Sequence, residues 1–425
     1  MNEPFKWDNY SDQPAIIKDK SYKKSMRKKE IKSLLKTILT ASIILPISIV
    51  MMPFIKRKEI DSQNFFSIGV NFEDDNTLNK ELIDQLGVKS ILLRVKLWEM
   101  DKLPLLKEFL EKHQDKHITL KILQDRENIE NLSLLKKNLS KIFSTLDKLV
   151  DIYEVGSTIN RAKWGFFSVD EYSRFFKTAY DLKIQQFKDI KLIGSGVIDF
   201  EYHFTAHTLF NLHKYKYDGV SSLLYVDRRG APENTQLGFT LSDKIALLST
   251  MTWLSPKTEN RLYITETNWP ISGTAPYAPT SEYECVEQDV YANYMLRYYL
   301  LAFASQQVNY VSWHQLIAKG YGLVDETTMQ KREAFDTYKF MIKNLQNAQF
   351  LRLDIKRDYY IMQCLVDDEV MQIHWALKDT TLKKEDFFEA YTKTGQKIED
   401  KILDINDAPI YLFIKKAAPL KVNCI

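Results

Sequence analysis

The sequence of 425 residues predicts an α/β protein: a (β/α)8 barrel with a small C-terminal antiparallel β domain, preceded by a single transmembrane helix. Three observations predict it. Apolar β-branched runs alternate with helix-patterned stretches, an uncharged run precedes them, and strand patterns alone follow them. The expected parts are a basic tail (1–36), the transmembrane helix (37–55), the barrel (64–344) and the β domain (345–425). At 45% hydrophobic and 12% aromatic residues, the composition excludes a disordered chain.

The N-terminal apolar run, Thr37 to Ile55, has about 19 residues without a charge, enough to cross the hydrocarbon layer as a helix. Nine Lys and Arg residues lie between positions 18 and 36, whereas only Lys56, Arg57 and Lys58 follow closely. This bias predicts an N-terminus in the cytoplasm and a barrel on the periplasmic or extracellular side of the inner (plasma) membrane. A cleaved signal peptide fits less well, because the basic region is long and no A-x-A site follows the run.

The charge distribution argues against a nucleic-acid partner. Residues 1–60 contain 13 Lys and Arg against 6 Asp and Glu, and the remainder contains 46 against 50, so the barrel has no expected basic face. The three cysteines, Cys285, Cys364 and Cys424, form no CxxC pair, which argues against a zinc site and a disulfide scaffold. No metal and no cofactor are therefore predicted, and the oligomeric state stays open.

Eight strands are predicted for the barrel, at 65–72, 90–97, 117–123, 150–157, 190–197, 218–226, 261–267 and 308–314. Eight βα units in about 280 residues fit a closed barrel better than an open doubly wound sheet. No GxGxxG motif follows the first strand, which argues against a dinucleotide-binding fold. After residue 345 the alternating segments 350–377 and 408–416, with the turn signal KTGQKIED between them, predict the antiparallel β domain.

Active sites of such barrels lie at the C-terminal ends of the strands, which surround a cavity here called the crater. These strand ends are rich in Trp, Tyr, Arg and carboxylate residues. Aromatic faces stack on sugar rings and charged groups bind hydroxyls, so the composition favours a glycan. The residues are Arg94, Glu154, Ser157, Thr158, Asn160, Arg161, Trp164, Asp199, Glu201, Tyr225, Asp227, Arg228, Arg229, Glu233, Glu266, Asn268, Trp269, Trp313 and His314. His203 and His207 have metal-ligand spacing but lack the glutamate of a zinc protease motif.

Two of these segments resemble a known family. YEVGSTINRAKWG (153–165) is similar to the strand 4 motif of clan A glycoside hydrolases, close to family 39, which reads roughly F-E-x-W-N-E-P-N. YITETNW (263–269) is similar to the strand 7 nucleophile segment of the same clan. Arg94 and Trp313 fall where the clan has an arginine on strand 2 and a tryptophan on strand 8. The resemblance covers roughly residues 65–345 and extends to a small β domain.

The resemblance implies roles for individual residues. Glu266 matches the catalytic nucleophile, Arg94 the arginine that keeps this carboxylate ionised, and Trp313 the platform beneath the sugar. Glu154 matches the glutamate that precedes the Asn-Glu pair. That pair is absent, because Ser157 replaces the asparagine and Thr158 the acid/base glutamate. Further substrate-binding side chains are expected at the same strand ends, namely Asn160, Trp164, Tyr225 and Trp269.

The absence of the glutamate limits the chemistry. Retaining hydrolysis uses two carboxylates about 5–5.5 Å apart, and losing the general acid removes roughly 10²–10⁴ in rate. Asp199, Glu201, Asp227 and Glu233 are the candidate replacements.

Three functional interpretations remain open for this membrane-anchored, glycoside hydrolase-like chain. It is a glycosidase with a relocated acid, or an enzyme whose leaving group needs no acid, such as a lipid-linked sugar diphosphate. Alternatively, it is a non-catalytic glycan-binding protein. All three place it at a cell-envelope polysaccharide, such as lipopolysaccharide, or its lipid-linked precursor. The sugar, linkage and anomer are not fixed by the sequence.

Overall fold

The computed structural model describes residues 5–72, 76–227, 230–385 and 388–414. Arg228, Arg229 and Cys424 lie outside these ranges. The described chain begins with a small N-terminal hairpin, residues 5–14, made of β1 (Trp7–Asp8) and β2 (Gln13–Pro14), which pair antiparallel. Two helices follow, α1 (Lys20–Lys29) and α2 (Ile31–Met51).

The barrel contains eight parallel strands in a closed ring, so the predicted (β/α)8 architecture is confirmed. Its strands are β3 (Phe66–Gly69), β4 (Ser90–Lys96), β5 (His117–Leu123), β6 (Ile152–Val155), β7 (Leu192–Ile198), β8 (Gly219–Leu223), β9 (Leu262–Thr267) and β10 (Tyr310–Trp313). Its helices are α3 (Ser62–Phe65), α4 (Thr77–Leu86), α5 (Leu103–Glu111), α6 (Arg126–Glu130), α7 (Leu132–Thr145), α8 (Val169–Gln185), α9 (Tyr202–Leu209), α10 (Leu241–Leu254), α11 (Gln288–Ser305) and α12 (Glu333–Leu345). Each strand pairs with its sequence neighbour, and β10 closes the ring on β3.

Strand and helix patterns follow from burial. Barrel strands are covered on both faces, so β5 and β6 are buried along almost their whole length, including the polar side chains that point into the barrel. The outer helices bury one stripe; α5 buries Leu103, Leu106, Phe109 and Leu110. Some helix starts are capped by side chains; at the start of α8, Ser168 Oγ accepts a hydrogen bond from the Glu171 N–H (3.1 Å).

The C-terminal part forms antiparallel sheets, as the alternating pattern predicts. Its strands are β11 (Gln349–Lys356), β12 (Tyr359–Val366), β13 (Glu369–Ala376), β14 (Thr380–Lys383), β15 (Phe388–Tyr391), β16 (Lys397–Ile398), β17 (Ile402–Ile405) and β18 (Ile410–Ile414). Six strands form one sheet in the order β11-β12-β13-β18-β15-β16, and β14 pairs with β17. Glu233 joins this domain to the barrel, accepting a hydrogen bond from Trp375 Nε1 (2.9 Å) and pairing with the buried Arg297 (3.1 Å).

Helix α2, extended to Phe54, is long and apolar enough to cross a membrane by length and composition. It packs along α8, α9 and α10. Its small and polar residues Ser33, Thr37, Ala41 and Ser48 face the barrel and are buried. Thr37 Oγ1 lies 2.8 Å from His207 Nδ1. The outward face is apolar and exposed, with Ile31, Leu34, Leu35, Ile38, Leu39, Ile43, Ile47, Ile49, Val50 and Phe54.

The basic tail also contacts the barrel. Glu30 accepts a hydrogen bond from Ser168 Oγ (2.6 Å), Lys36 pairs with Asp170 (3.0 Å), and the N-terminal hairpin reaches the strand ends. A single-pass helix with a cytoplasmic tail would instead put residues 1–36 and the barrel on opposite sides of a bilayer. The structure differs from that expectation because the polar stripe of α2 finds hydrogen-bond partners on the barrel's outer helices.

We predict that acid weakens the packing of α2 on the barrel. Burial lowers the pKa of His207 from 6.5 to about 4, so the folded protein holds this imidazole neutral. The resulting stabilisation is complete above about pH 6.5 and is lost as the pH falls toward about 4, at most about 3 kcal/mol. Urea unfolding at a series of pH values should show a shallower acid slope for His207→Gln. The control Gln114→Ala, a non-titrating change at an exposed side chain, should keep the wild-type slope, and equal slopes for both variants would contradict the prediction.

Candidate active site

The C-terminal ends of the barrel strands open into a crater of about 640 Å³. Its walls carry carboxylates, cations and aromatic rings, as the sequence predicts. The polar and aromatic lining residues are Ser11, Asp12, Gln13, Arg94, Thr158, Arg161, Lys163, Trp164, Asp199, Phe200, Glu201, Tyr225, Gln236, Glu266, Asn268, Thr280, Glu284, His314 and Tyr321.

Glu266 lies near the end of β9 with its carboxylate in the crater. Its Oε1 accepts a hydrogen bond from the Tyr225 hydroxyl (2.8 Å), and its Oε2 accepts one from Lys121 Nζ (3.3 Å). Burial alone would raise the pKa of Glu266, but Lys121, Tyr225 and Arg94 favour the charged form and lower the pKa to about 2. The carboxylate is therefore ionised at neutral pH, as a nucleophile requires.

Lys121 is the side chain that sequence reasoning missed. It projects from β5 into the barrel, is buried, and lies between Glu266 and Glu154, at 3.3 and 3.4 Å. We call Lys121, Glu154 and Glu266 the buried triad. A signal was present, since a lysine in the middle of the predicted barrel strand HITLKIL needs a charged partner when it is buried.

Arg94 comes from β4, as expected, but turns its guanidinium away from a direct bond to Glu266. It forms an ion pair with Asp12 of the N-terminal hairpin and donates to Asn71 Oδ1 (3.3 Å). Its charge still favours the ionised form of Glu266. The supporting role implied for Arg94 is thus electrostatic in this arrangement.

Thr158 lies where β6 ends in a sharp turn. Gly156 has φ of +80° and Thr158 of +52°, both in the left-handed region that a β-branched residue rarely adopts. The Thr158 hydroxyl lines the crater, 3.3 Å from Ser157 Oγ. At the position to which the resemblance assigns the acid/base, the chain therefore presents an alcohol, which cannot protonate a leaving group near neutral pH.

Of the four candidate replacement acids, Asp199 and Glu201 line the crater. Arg161 binds both, at 2.7 and 2.5 Å, and Asn160 Nδ2 donates to Glu201 (2.7 Å). Asn160 is thus a positioning residue behind Glu201. Glu284, from the loop after β9, is a further crater carboxylate that the sequence did not single out.

Asp227 is not part of the crater wall, and Glu233 lies under the C-terminal domain, where burial raises its pKa. The relocated acid, if it is one of the four, is therefore Asp199 or Glu201.

Three predicted substrate-binding residues are buried instead of facing the crater. Glu154 is enclosed in the barrel and accepts a hydrogen bond from Thr265 (2.9 Å). Trp269 and Trp313 stack on one another at 5.8 Å, and Trp313 Nε1 donates to the Tyr291 hydroxyl (2.8 Å). Trp313 consequently packs against α11 and offers no platform to a sugar. Trp164 and Tyr225 do line the crater, where His314 stacks on Tyr321 (5.3 Å).

Metal-binding geometry is missing from the part of the chain that the structure describes, since no group of three or more His, Cys, Asp or Glu side chains converges there. His207 instead bonds Thr37, and the ring of His203 packs against Phe204.

Comparisons with known proteins agree with the fold. No family model and no curated protein matches the sequence. A family 39 glycoside hydrolase from Bacteroides cellulosilyticus WH2 is similar in structure, with a TM-score of 0.65 and 15% identity over 84% of this chain and 82% of that chain. A GH30 endoxylanase from Clostridium papyrosolvens C71 gives 0.56, with 10% identity over 85% and 97%. A GH39 β-xylosidase from Caulobacter crescentus gives 0.55, with 12% identity over 85% and 98%. At these identities the likeness shows a glycoside hydrolase-like barrel fold.

We predict that Lys121 is essential for stability. In Lys121→Gln two buried carboxylates would face each other without a cation, which should lower the free energy of unfolding by about 3–5 kcal/mol and raise the pKa of Glu266. Urea unfolding measures the first effect. The control Lys136→Gln, on the exposed side of α7, should change stability by less than about 0.5 kcal/mol. Equal stability of the two variants would show that the triad does not depend on its cation.

Proposed function

We propose that this chain is a membrane-associated, glycoside hydrolase-like protein that acts on a cell-envelope polysaccharide or its lipid-linked precursor. The observation that carries the proposal is the Glu266 carboxylate, held ionised in a crater of aromatic and charged side chains. A carboxylate with lowered pKa at the end of a barrel strand suits a nucleophile. The barrel likeness to family 39 and family 30 structures supports the same class of reaction.

In the proposed reaction, Glu266 attacks the anomeric carbon and the bond to the leaving oxygen breaks, forming a glycosyl-enzyme ester. The Tyr225 hydroxyl orients the nucleophile, and the cation of Lys121 balances its charge. A water or a second glycan's hydroxyl then attacks the anomeric carbon of this ester, the bond between that carbon and Glu266 breaks to release the carboxylate, and the attacking group gives its proton to solvent. Since Thr158 supplies no proton, the favoured leaving group departs as a stable anion, such as a phosphate or diphosphate.

The exposed apolar face of α2 supports the membrane association. Ten large apolar side chains of this face are exposed, far more than one helix of a soluble protein usually presents. The basic residues of α1 lie next to it and attract anionic headgroups. We propose the inner (plasma) membrane, with the barrel on the periplasmic or extracellular side. In this arrangement the exposed face of α2 lies against the lipid while its polar stripe stays packed on the barrel, so the N-terminal hairpin remains in the crater.

The nucleophile can be tested without an acid catalyst. The full chain is incubated with a panel of 2-deoxy-2-fluoro glycosyl fluorides, whose fluoride leaves unaided and whose 2-fluorine slows breakdown of the ester. Intact mass should rise by one fluoroglycosyl group, and the reacting sugar would identify the substrate class. Glu266→Gln should show no gain, whereas the matched control Glu282→Gln, outside the crater wall, should react normally. An adduct that persists in Glu266→Gln would refute this nucleophile.

We also expect a gain of function at the acid/base position. Thr158→Glu should raise kcat/KM for aryl glycosides with poor leaving groups, within the roughly 10²–10⁴-fold range of general acid catalysis. The isosteric control Thr158→Gln should give no gain, because an amide donates no proton to the leaving oxygen. The test is hydrolysis across a series of phenols of increasing pKa, in which Thr158→Glu should flatten the dependence on leaving group. Identical dependence in the two variants would place the acid elsewhere.

A non-catalytic glycan-binding protein is the second candidate. Two observations favour it. One is the hydroxyl at Thr158 in place of an acid. The other is the direct bond from Lys121 to Glu266, which stabilises the carboxylate and so lowers its reactivity as a nucleophile. Binding of a glycan by calorimetry, together with no adduct from any fluoride, would select this candidate over the enzyme.

A further inference from the structure

The N-terminal hairpin lies inside the crater mouth. Lys163 Nζ donates to Gln13 Oε1 (2.6 Å), and Gln13 Nε2 donates to the Pro279 carbonyl (3.1 Å). The Trp7 ring packs against Trp98 (5.2 Å) and Trp164 (5.8 Å). A segment more than 80 residues away in sequence from its partners thus covers the predicted substrate-binding surface.

Asp12 is the part of the hairpin that contacts the predicted machinery. Its carboxylate pairs with Arg94 and lies 4.0 Å from Lys96. The Arg94 side chain is only 8% exposed, so an anion beside it offsets a large desolvation penalty. Any neutral ligand that displaced Asp12 would remove this compensation, whereas an anionic ligand would restore it.

The hairpin also divides the crater. A second cavity of about 280 Å³ lies on its other side, and both cavities are lined by Asp12, Arg94 and Tyr321. The smaller cavity contains four cationic side chains, Arg94, Lys96, Lys102 and Lys319. Its acidic residues are Asp12, Glu99 and Glu326, so withdrawal of Asp12 leaves it with an excess of positive charge.

The hairpin is short and is joined to α1 by an exposed linker. Its two strands have two residues each, and such a hairpin has little stability of its own. Residues 15–20, which join it to α1, are exposed except for the half-buried Ile17. A segment held at one end by an exposed linker opens at lower free energy than the barrel unfolds.

We propose that Asp12 is an internal occupant of a subsite for an anionic group of the glycan, a carboxylate or a phosphate, which binds Arg94 and Lys96 when the hairpin withdraws. That the ligand is a glycan rests on the proposed function. That it is anionic rests on the ion pair between Asp12 and Arg94. It predicts that acidic sugars or sugar phosphates, rather than neutral sugars, compete with the hairpin.

Calorimetry on the full chain in detergent tests this. The probes are methyl β-glucuronide, glucose 1-phosphate and the neutral methyl β-glucoside. The variant Asp12→Asn should bind one anionic probe at least tenfold more tightly than the wild type does, and the glucoside should show no such gain. The same chemical change at the exposed cap of α1, Asp19→Asn, should have no effect. Adding Arg94→Gln to Asp12→Asn should abolish the gain, and the preferred anionic probe decides between carboxylate and phosphate.

Two results would overturn the inference. An equal gain for all three probes would make the hairpin a simple cover without an anion subsite, and no gain for any probe would make it a fixed part of the fold. Inorganic pyrophosphate and the fluoride panel separate these failures from failure of the glycan function. Pyrophosphate binding that depends on Arg94, with neither glycoside binding nor adduct, would keep the anion site but refute the glycan. Adduct formation without a preference for anionic probes would keep the glycan function but refute the anion site.

Discussion

The buried cation of Lys121 is the interaction on which the centre of the barrel depends. It lies between the fully buried carboxylate of Glu154 and the largely buried carboxylate of Glu266, and it can neutralise only one of them. The pKa shifts show how the charge is divided: burial raises the pKa of Glu154, whereas the pKa of Glu266 falls to about 2. Two carboxylates in one barrel are thus given different states by their surroundings. The outer one, Glu266, carries the charge where a ligand reaches it.

Much of the fold follows from the sequence because the relevant forces are local or periodic. Barrel strands are short, mainly apolar runs that are buried on both faces, and crossover helices are amphipathic, so the eight units are visible in the pattern. The place of Glu266 in the crater could be predicted as well, since motifs at strand ends converge at one face of a barrel. The direction in which a single side chain points is harder to predict from the sequence. Neighbouring residues on a strand point to opposite sides, so Trp313 packs against α11 while the next residue, His314, enters the crater.

The position of the N-terminal segment could not be predicted, because nothing local specifies it. Strands of two residues give no periodic signal, and Asp12 meets Arg94 only through the folded barrel. The polar stripe of α2, unlike the hairpin, does leave a periodic signal in the sequence. Ser33, Thr37 and Ala41 recur every four residues, which is a helical period, yet the overall hydropathy of the run conceals it. A helix that crosses a bilayer alone needs no such stripe, so these residues indicate packing against the barrel.

The hairpin, the missing acid and the cations of the crater bear on one chemical problem. A nucleophile without an acid partner works when the leaving group is already stable as an anion. Such a group carries negative charge before the bond breaks and more afterwards, so the site must supply cations near the leaving oxygen. Arg94 lines the crater and Lys96 lines the smaller cavity beside it, and in this structure both lie against the Asp12 carboxylate. If the phosphate of a sugar phosphate takes the place of the Asp12 carboxylate, Arg94 and Lys96 both bind the substrate and stabilise the departing phosphate. A neutral glycoside would gain neither advantage, so the hydroxyl at Thr158 and the carboxylate at Asp12 both favour the anionic substrate that we propose.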